Sequence, residues 1–74
     1  MKTIQFTLHE GEDYIPLIQL LKVTNCVETG GEAQSIVVNE MVRRNGEVEL
    51  RKRAKCVAGD VIEFEDYRIL VKSE

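Results

Sequence analysis

An α+β fold is what this sequence predicts, and three observations carry the prediction. Apolar and polar residues alternate near the start, through Ile4, Phe6 and Leu8, and again near the end, through Tyr67, Ile69 and Val71, which is the period of half-buried strands. Between them, two segments carry the i, i+3, i+4 apolar spacing of amphipathic helices. No linker, repeat or shift in composition divides the 74 residues, so residues 1–74 are expected to form a single domain. The order strand, helix, helix, hairpin, hairpin describes a mixed domain rather than a parallel-sheet enzyme.

The first strand is interrupted by His9-Glu10-Gly11-Glu12-Asp13 and reads as an edge strand. Asp13 is placed to cap a first helix bearing Leu17, Leu20 and Leu21, with Pro16 inside its first turn and an end near Lys22. Thr29-Gly30-Gly31-Glu32 has the form of a capping box and opens a second helix, with Ala33, Ile36, Val37 and Met41 expected on its packed face. Asn45-Gly46 between Val42 and Val48 predicts a two-residue type I′ hairpin, because both residues accept positive φ. Ala58-Gly59-Asp60 marks a turn before Val61, Ile62 and Phe64, and Glu65-Asp66 closes a second hairpin onto Tyr67, Ile69 and Val71.

Composition removes several function classes. No stretch approaches the roughly 20 apolar residues of a membrane helix, and the first residues lack a signal-peptide core, so a cytoplasmic protein with no membrane partner is expected. Cys26 and Cys56 lie far apart without neighbouring ligands, and with the single His9 they make no zinc or redox spacing. No phosphate-binding glycine loop, nucleophile with a base, or separated carboxylate pair is recognisable, so no catalytic residue, metal or cofactor is expected.

Charge carries the functional signal. The chain has a net charge of −3, yet Arg43, Arg44, Arg51, Lys52, Arg53 and Lys55 crowd into thirteen residues against only Glu47 and Glu49. Repulsion within such a run is relieved when phosphates replace counterions, which points to a polyanion. A second candidate is the start of the second helix, where Gly30 and Gly31 leave backbone N–H groups unshielded and the helix dipole favours an anion. There Thr29 and Glu32 compete, since a capping box satisfies the same donors. Phe6, Phe64, Tyr14 and Tyr67 fall at core-like or isolated positions, so no stacking platform for single-stranded bases is expected. Cations without aromatics suit phosphate geometry in a folded RNA.

The succession of an amphipathic Leu-Leu-Lys helix, Thr-Gly-Gly-Glu-Ala, Val-Arg-Arg-Asn-Gly-Glu-Val-Glu, the basic run and Ala-Gly-Asp-Val-Ile resembles the alpha-L RNA-binding domain, the family named after ribosomal protein S-four. It looks most like the stand-alone bacterial members, the YbcJ-like subfamily, over about residues 14–72. The resemblance implies two helices packed against a small, mostly antiparallel sheet. It also implies an RNA surface built from the second helix, the hairpin and the basic segment. Carried over by position, Gly30 and Gly31 match the helix-opening turn, Arg43 the exposed hairpin cation, and Arg51, Lys52, Arg53 and Lys55 the basic segment, with Gly59 and Asp60 in the structural turn. Three departures stand out. Gln34 replaces a frequent Lys and can only donate a hydrogen bond. Glu40 stands where the helix commonly ends in Gly, and Asn39 can supply the left-handed conformation instead. Arg44 replaces an aliphatic residue and adds a hairpin cation.

The expected partner is therefore structured RNA, with ribosomal RNA, transfer RNA and a ribosome assembly intermediate equally compatible, bound by a monomer that is not an enzyme. An adaptor that docks the same basic run on an acidic protein is the alternative. A ubiquitin-like sulfur carrier shares the Asn-Gly-Glu hairpin but needs a C-terminal Gly-Gly, whereas this chain ends Val71-Lys72-Ser73-Glu74.

Overall fold

The computed structural model describes residues 1–74 and has an α+β architecture. In chain order the elements are β1 (Lys2–Leu8), β2 (Ile15–Pro16), α1 (Leu17–Val23), α2 (Gly30–Val38), β3 (Val42–Arg44), β4 (Glu47–Val48), β5 (Lys55–Cys56), β6 (Val61–Phe64) and β7 (Tyr67–Ser73). Five strands form one sheet in the order β1-β7-β6-β3-β4, and β2 with β5 forms a separate two-stranded ribbon. β1 lies at the edge, as its alternation predicts, and runs parallel to β7; every other pairing is antiparallel.

The period of two decides which sheet face is buried. Ile62 opposes Ile69 and Phe64 opposes Tyr67, and the core also takes Leu8, Val42 and Val71 from this sheet. On the outer face Glu63 opposes Arg68, with a 3.6 Å ion pair between them. Leu17, Leu20 and Leu21 of α1 and Ala33, Ile36 and Val37 of α2 complete the core, so both helices bury the stripe their spacing predicts.

Two helix boundaries differ from expectation. Asp13 does not cap α1; Pro16 occupies the cap position without any side-chain hydrogen bond. The residue before a proline is driven to extended backbone, so Ile15 pairs with Cys56 as a strand, and the Leu17 N–H is satisfied by the Ala54 carbonyl at 2.9 Å. At the far end of α2, Glu40 rather than Asn39 takes the left-handed conformation, at φ 62°. The Glu40 and Met41 amides donate to the carbonyls of Val37 and Ile36, the Schellman pattern. The reversal carries Met41 off the packed face, leaving it 44% exposed. α1 ends in the same way, with Asn25 at φ 62° and the Asn25 and Cys26 amides donating to Lys22 and Leu21.

The hairpin between β3 and β4 turns at Asn45 (φ 53°) and Gly46 (φ 88°), the two positive φ values of a type I′ turn. Its Asn45 does a second job. The side-chain oxygen accepts from the Val61 N–H at 2.9 Å and the amide nitrogen donates to Asp60 at 3.0 Å, which ties the turn to the start of β6.

Candidate nucleic-acid interface

In β3 the alternation places Val42 in the core, Arg43 outside and Arg44 again on the inner side, at the rim. Arg44 is therefore not a free cation. Its Nε and Nη2 donate to Asp60 Oδ2 at 3.1 and 2.8 Å, Nη2 donates to the Lys55 carbonyl at 2.7 Å, and Nη1 reaches Glu49 at 3.4 Å. Burial lowers the affinity of this guanidinium for its proton, but Asp60 and Glu49 more than offset that and the net shift is upward. Burial likewise pushes the Asp60 carboxyl up, and hydrogen bonds from Val57, Asn45 and Arg44 with the Arg44 charge outweigh it, holding the group below the usual aspartate range. The Glu49 carboxyl shows the same balance, with burial overcome by donors from Arg51 and Arg44. Burial pushes the adjacent Cys56 thiol up to about 11, against the Arg44 charge and with Asp60 and Glu49 adding to the rise. Cys56 is thus a neutral core residue.

This network braces the basic loop. Glu49 takes the Arg51 backbone N–H at 3.1 Å and its Nε at 3.2 Å. Ala54 is buried, its N–H donates to the Arg51 carbonyl, and its own carbonyl receives Leu17. Lys55 and Cys56 then pair with Pro16 and Ile15. A run held at both ends leaves Lys52 and Arg53 at the tip, exposed and, like Lys55, without a carboxylate partner. Arg44, Arg51, Arg53 and Lys55 surround a concavity of about 440 Å³ with no acidic residue in its wall. Arg53 and Lys55 also border a larger groove against α1, so they form a cationic ridge between two hollows.

The remaining predicted residues lie apart from this ridge. Arg43 is exposed on the outer side, where its Nη1 donates to the Gly46 carbonyl at 3.3 Å, and it shares a shallow hollow with Met41, Glu63 and Glu65. At the start of α2 the cap is made: Thr29 Oγ1 accepts from the Glu32 N–H at 3.1 Å, while Glu32 Oε1 accepts from Glu28 N–H at 2.8 Å, one residue further back than in the usual box. Gly30, Gly31 and Gln34 border none of the hollows lined by the basic loop.

One expectation about aromatics is overturned. Tyr14 is neither core nor isolated: it is 42% exposed, and the Lys55 ammonium stands 5.0 Å from its ring centroid. The pairing of Pro16 with Lys55 brings the two together across 41 residues of sequence, a juxtaposition that local patterning does not contain. Two further residues carry no local signal: Lys22 of α1, which borders the larger groove with Arg53 and Lys55, and Glu49. Glu49 alternates as a surface residue would, and only the Arg44 and Arg51 partners explain its burial.

Comparison with known proteins agrees with this architecture. The S4 domain family model matches residues 6–72. YbcJ of Escherichia coli (strain K12), named as a candidate RNA-binding protein, is 34% identical over 58 residues, covering 78% of this chain and 83% of that protein. The uncharacterized protein YbcJ of Shigella flexneri matches with the same identity and coverage. The family match spans both helices, the braced hairpin and the basic loop together, and the chain therefore belongs to the S4 domain family as a YbcJ-like protein.

Proposed function

We propose that this protein binds structured RNA, ribosomal or transfer RNA, by phosphate contacts and without catalysis. RNA as the class of partner is supported by its membership of the S4 family and by the description of the Escherichia coli relative. The observation that carries the reading is the set of cations without a carboxylate partner, Lys52 and Arg53 on a loop braced at both ends and Lys55 in the strand that follows it, in a chain of net charge −3. Such a set costs little to reorganise on binding, because the backbone beneath it is already fixed. Arg51 joins the contact from its bridge to Glu49. Arg44 acts as a positioning residue, since its donors are spent on Asp60, Glu49 and the Lys55 carbonyl. Arg43, and Gly30 and Gly31 with Gln34, make outlying contacts to a helix-sized ligand.

Fluorescence anisotropy with labelled ribosomal RNA hairpins, over a range of salt, tests this. Wild-type binding should weaken with a log–log salt slope of about −2 to −4, corresponding to three or four phosphates. Lys52→Glu with Arg53→Glu should lose at least tenfold in affinity while melting as the wild type does, because neither side chain makes an internal bond. Absence of wild-type binding to every structured RNA at low salt refutes the reading.

A further inference from the structure

Along the outer side of α1, between that helix and the basic loop, runs a groove of about 600 Å³. Its volume lies within the roughly 300–1,000 Å³ of small-ligand clefts. Two kinds of side chain meet in its wall. Tyr14, Ile18 and Val23 contribute apolar surface, and Tyr14 and Val23 are 42% and 49% exposed. Lys22, Lys52, Arg53 and Lys55 supply four positive charges. No carboxylate borders the groove, although acidic residues outnumber basic ones in the chain by thirteen to ten. A ligand complementary to this wall carries a flat apolar part and more than one negative charge within a few ångströms of it.

The geometry points to a seat for one unpaired nucleotide of the bound RNA, its base stacked on Tyr14 and its flanking phosphates held by Lys52, Arg53 and Lys55. The inference rests on the RNA-binding reading and adds a base contact to what is otherwise a phosphate surface. An aromatic ring beside unpaired cations is the combination that single-stranded nucleic acid requires, since every base offers a π face and every nucleotide brings a charge. The Lys55 ammonium 5.0 Å from the Tyr14 centroid shows that the ring presents a face to a cation in the free protein. On binding, the flexible lysine transfers to a phosphate and the base takes the ring. The ring is well anchored for this role, because the next two residues, Ile15 and Pro16, are paired with Cys56 and Lys55. Arg53 adds a planar guanidinium at the same edge, which stacks on a base or forks to a phosphate.

Two hairpins with the same stem test the seat, one fully paired and one carrying a single bulged 2-aminopurine. Wild-type protein should bind the bulged hairpin about tenfold more tightly and quench the 2-aminopurine emission. Tyr14→Ala and Tyr14→Leu should erase that preference and the quenching, and Tyr14→Phe should keep both. Affinity for the paired hairpin and its salt slope should be the same in all four proteins, whose folding is checked by circular dichroism melts. Equal wild-type affinity for the two hairpins, or a preference that survives Tyr14→Ala, overturns the seat and leaves the phosphate surface standing. A preference for the bulged hairpin that is lost in Tyr14→Ala but kept in Tyr14→Leu overturns stacking and identifies a plain apolar contact. Failure of the wild type to bind either hairpin at low salt overturns both readings.

Discussion

Replacing Asp60 by alanine removes the acceptor on which three residues converge, Arg44 and Asn45 of the hairpin and Val57 after β5. The carboxylate, in a residue only 7% exposed, receives the Val57 N–H at 2.9 Å, the Asn45 side chain at 3.0 Å, and Arg44 through Nε at 3.1 Å and Nη2 at 2.8 Å. Breaking a buried charge pair by deleting one partner costs about 3–5 kcal/mol, and each orphaned buried donor about 1–3 kcal/mol. The Arg44 side chain is 20% exposed and Asn45 is exposed, so both recover part of their hydration. The net loss should therefore be about 3 kcal/mol. A domain of this length has about 4–11 kcal/mol in total, so the variant should fold but only marginally. In urea, at a slope near 1 kcal/mol/M, the unfolding midpoint should fall by about 2–3 M. A double-mutant cycle with Arg44→Ala should return a coupling of at least about 1 kcal/mol, because neither loss can be suffered twice. A midpoint shift below about 0.5 M, or additive single losses, would refute the idea that this carboxylate joins the hairpin to the basic loop.

Acid should weaken the same network. Asp60 and Glu49 both titrate below their unfolded values near 4, so between the folded and unfolded pKa the unfolded chain binds more protons and stability rises with pH. Melting temperature should stay level from pH 7 to about 5 and then drop as pH falls below about 4.5; a flat profile in wild type, or an unchanged acid drop in Asp60→Asn combined with Glu49→Gln, counts against it. Two glycine exchanges should move stability in opposite directions. Glu40→Gly, at φ 62° in the α2 terminus, should gain about 1 kcal/mol by relieving left-handed strain, whereas Gly46→Ala, at φ 88° in the hairpin turn with open space around its Cβ, should lose about 1–2 kcal/mol for purely backbone reasons. Urea unfolding of both variants reads the two signs.

Much of the fold was legible because its signals are local. Alternation in β1, β6 and β7, the Asn45-Gly46 turn and the Thr29 cap each depend on residues within a few positions of one another. At the start of α1 a distant partner overrode a local preference. Asp13 is a sound helix cap in isolation, yet Ala54 supplies the acceptor for Leu17 and Cys56 pairs with Ile15, so the chain stays extended until Pro16. Asn39 tolerates the left-handed conformation better than Glu40 does, yet the helix ends one residue later.

The candidate site divides in the same way. Sequence alone determined that cations concentrate between Arg43 and Lys55, since charge density is a property of order along the chain and needs no folding to be counted. Only the tertiary structure decided which partner each cation meets. Arg43, Arg44, Arg51 and Lys52 look alike in a sequence, but one strand residue's change of face sends Arg44 to Asp60 and Arg43 to the surface, Glu49 captures Arg51, and Lys52 is left free. Pairing between β2 and β5 likewise turns Tyr14 from an isolated aromatic into the neighbour of Lys55. The physical reason is that a charge acts through its distance to partners, and for Arg44 and Lys55 those distances were set by strand pairing across the chain rather than by the residues beside them.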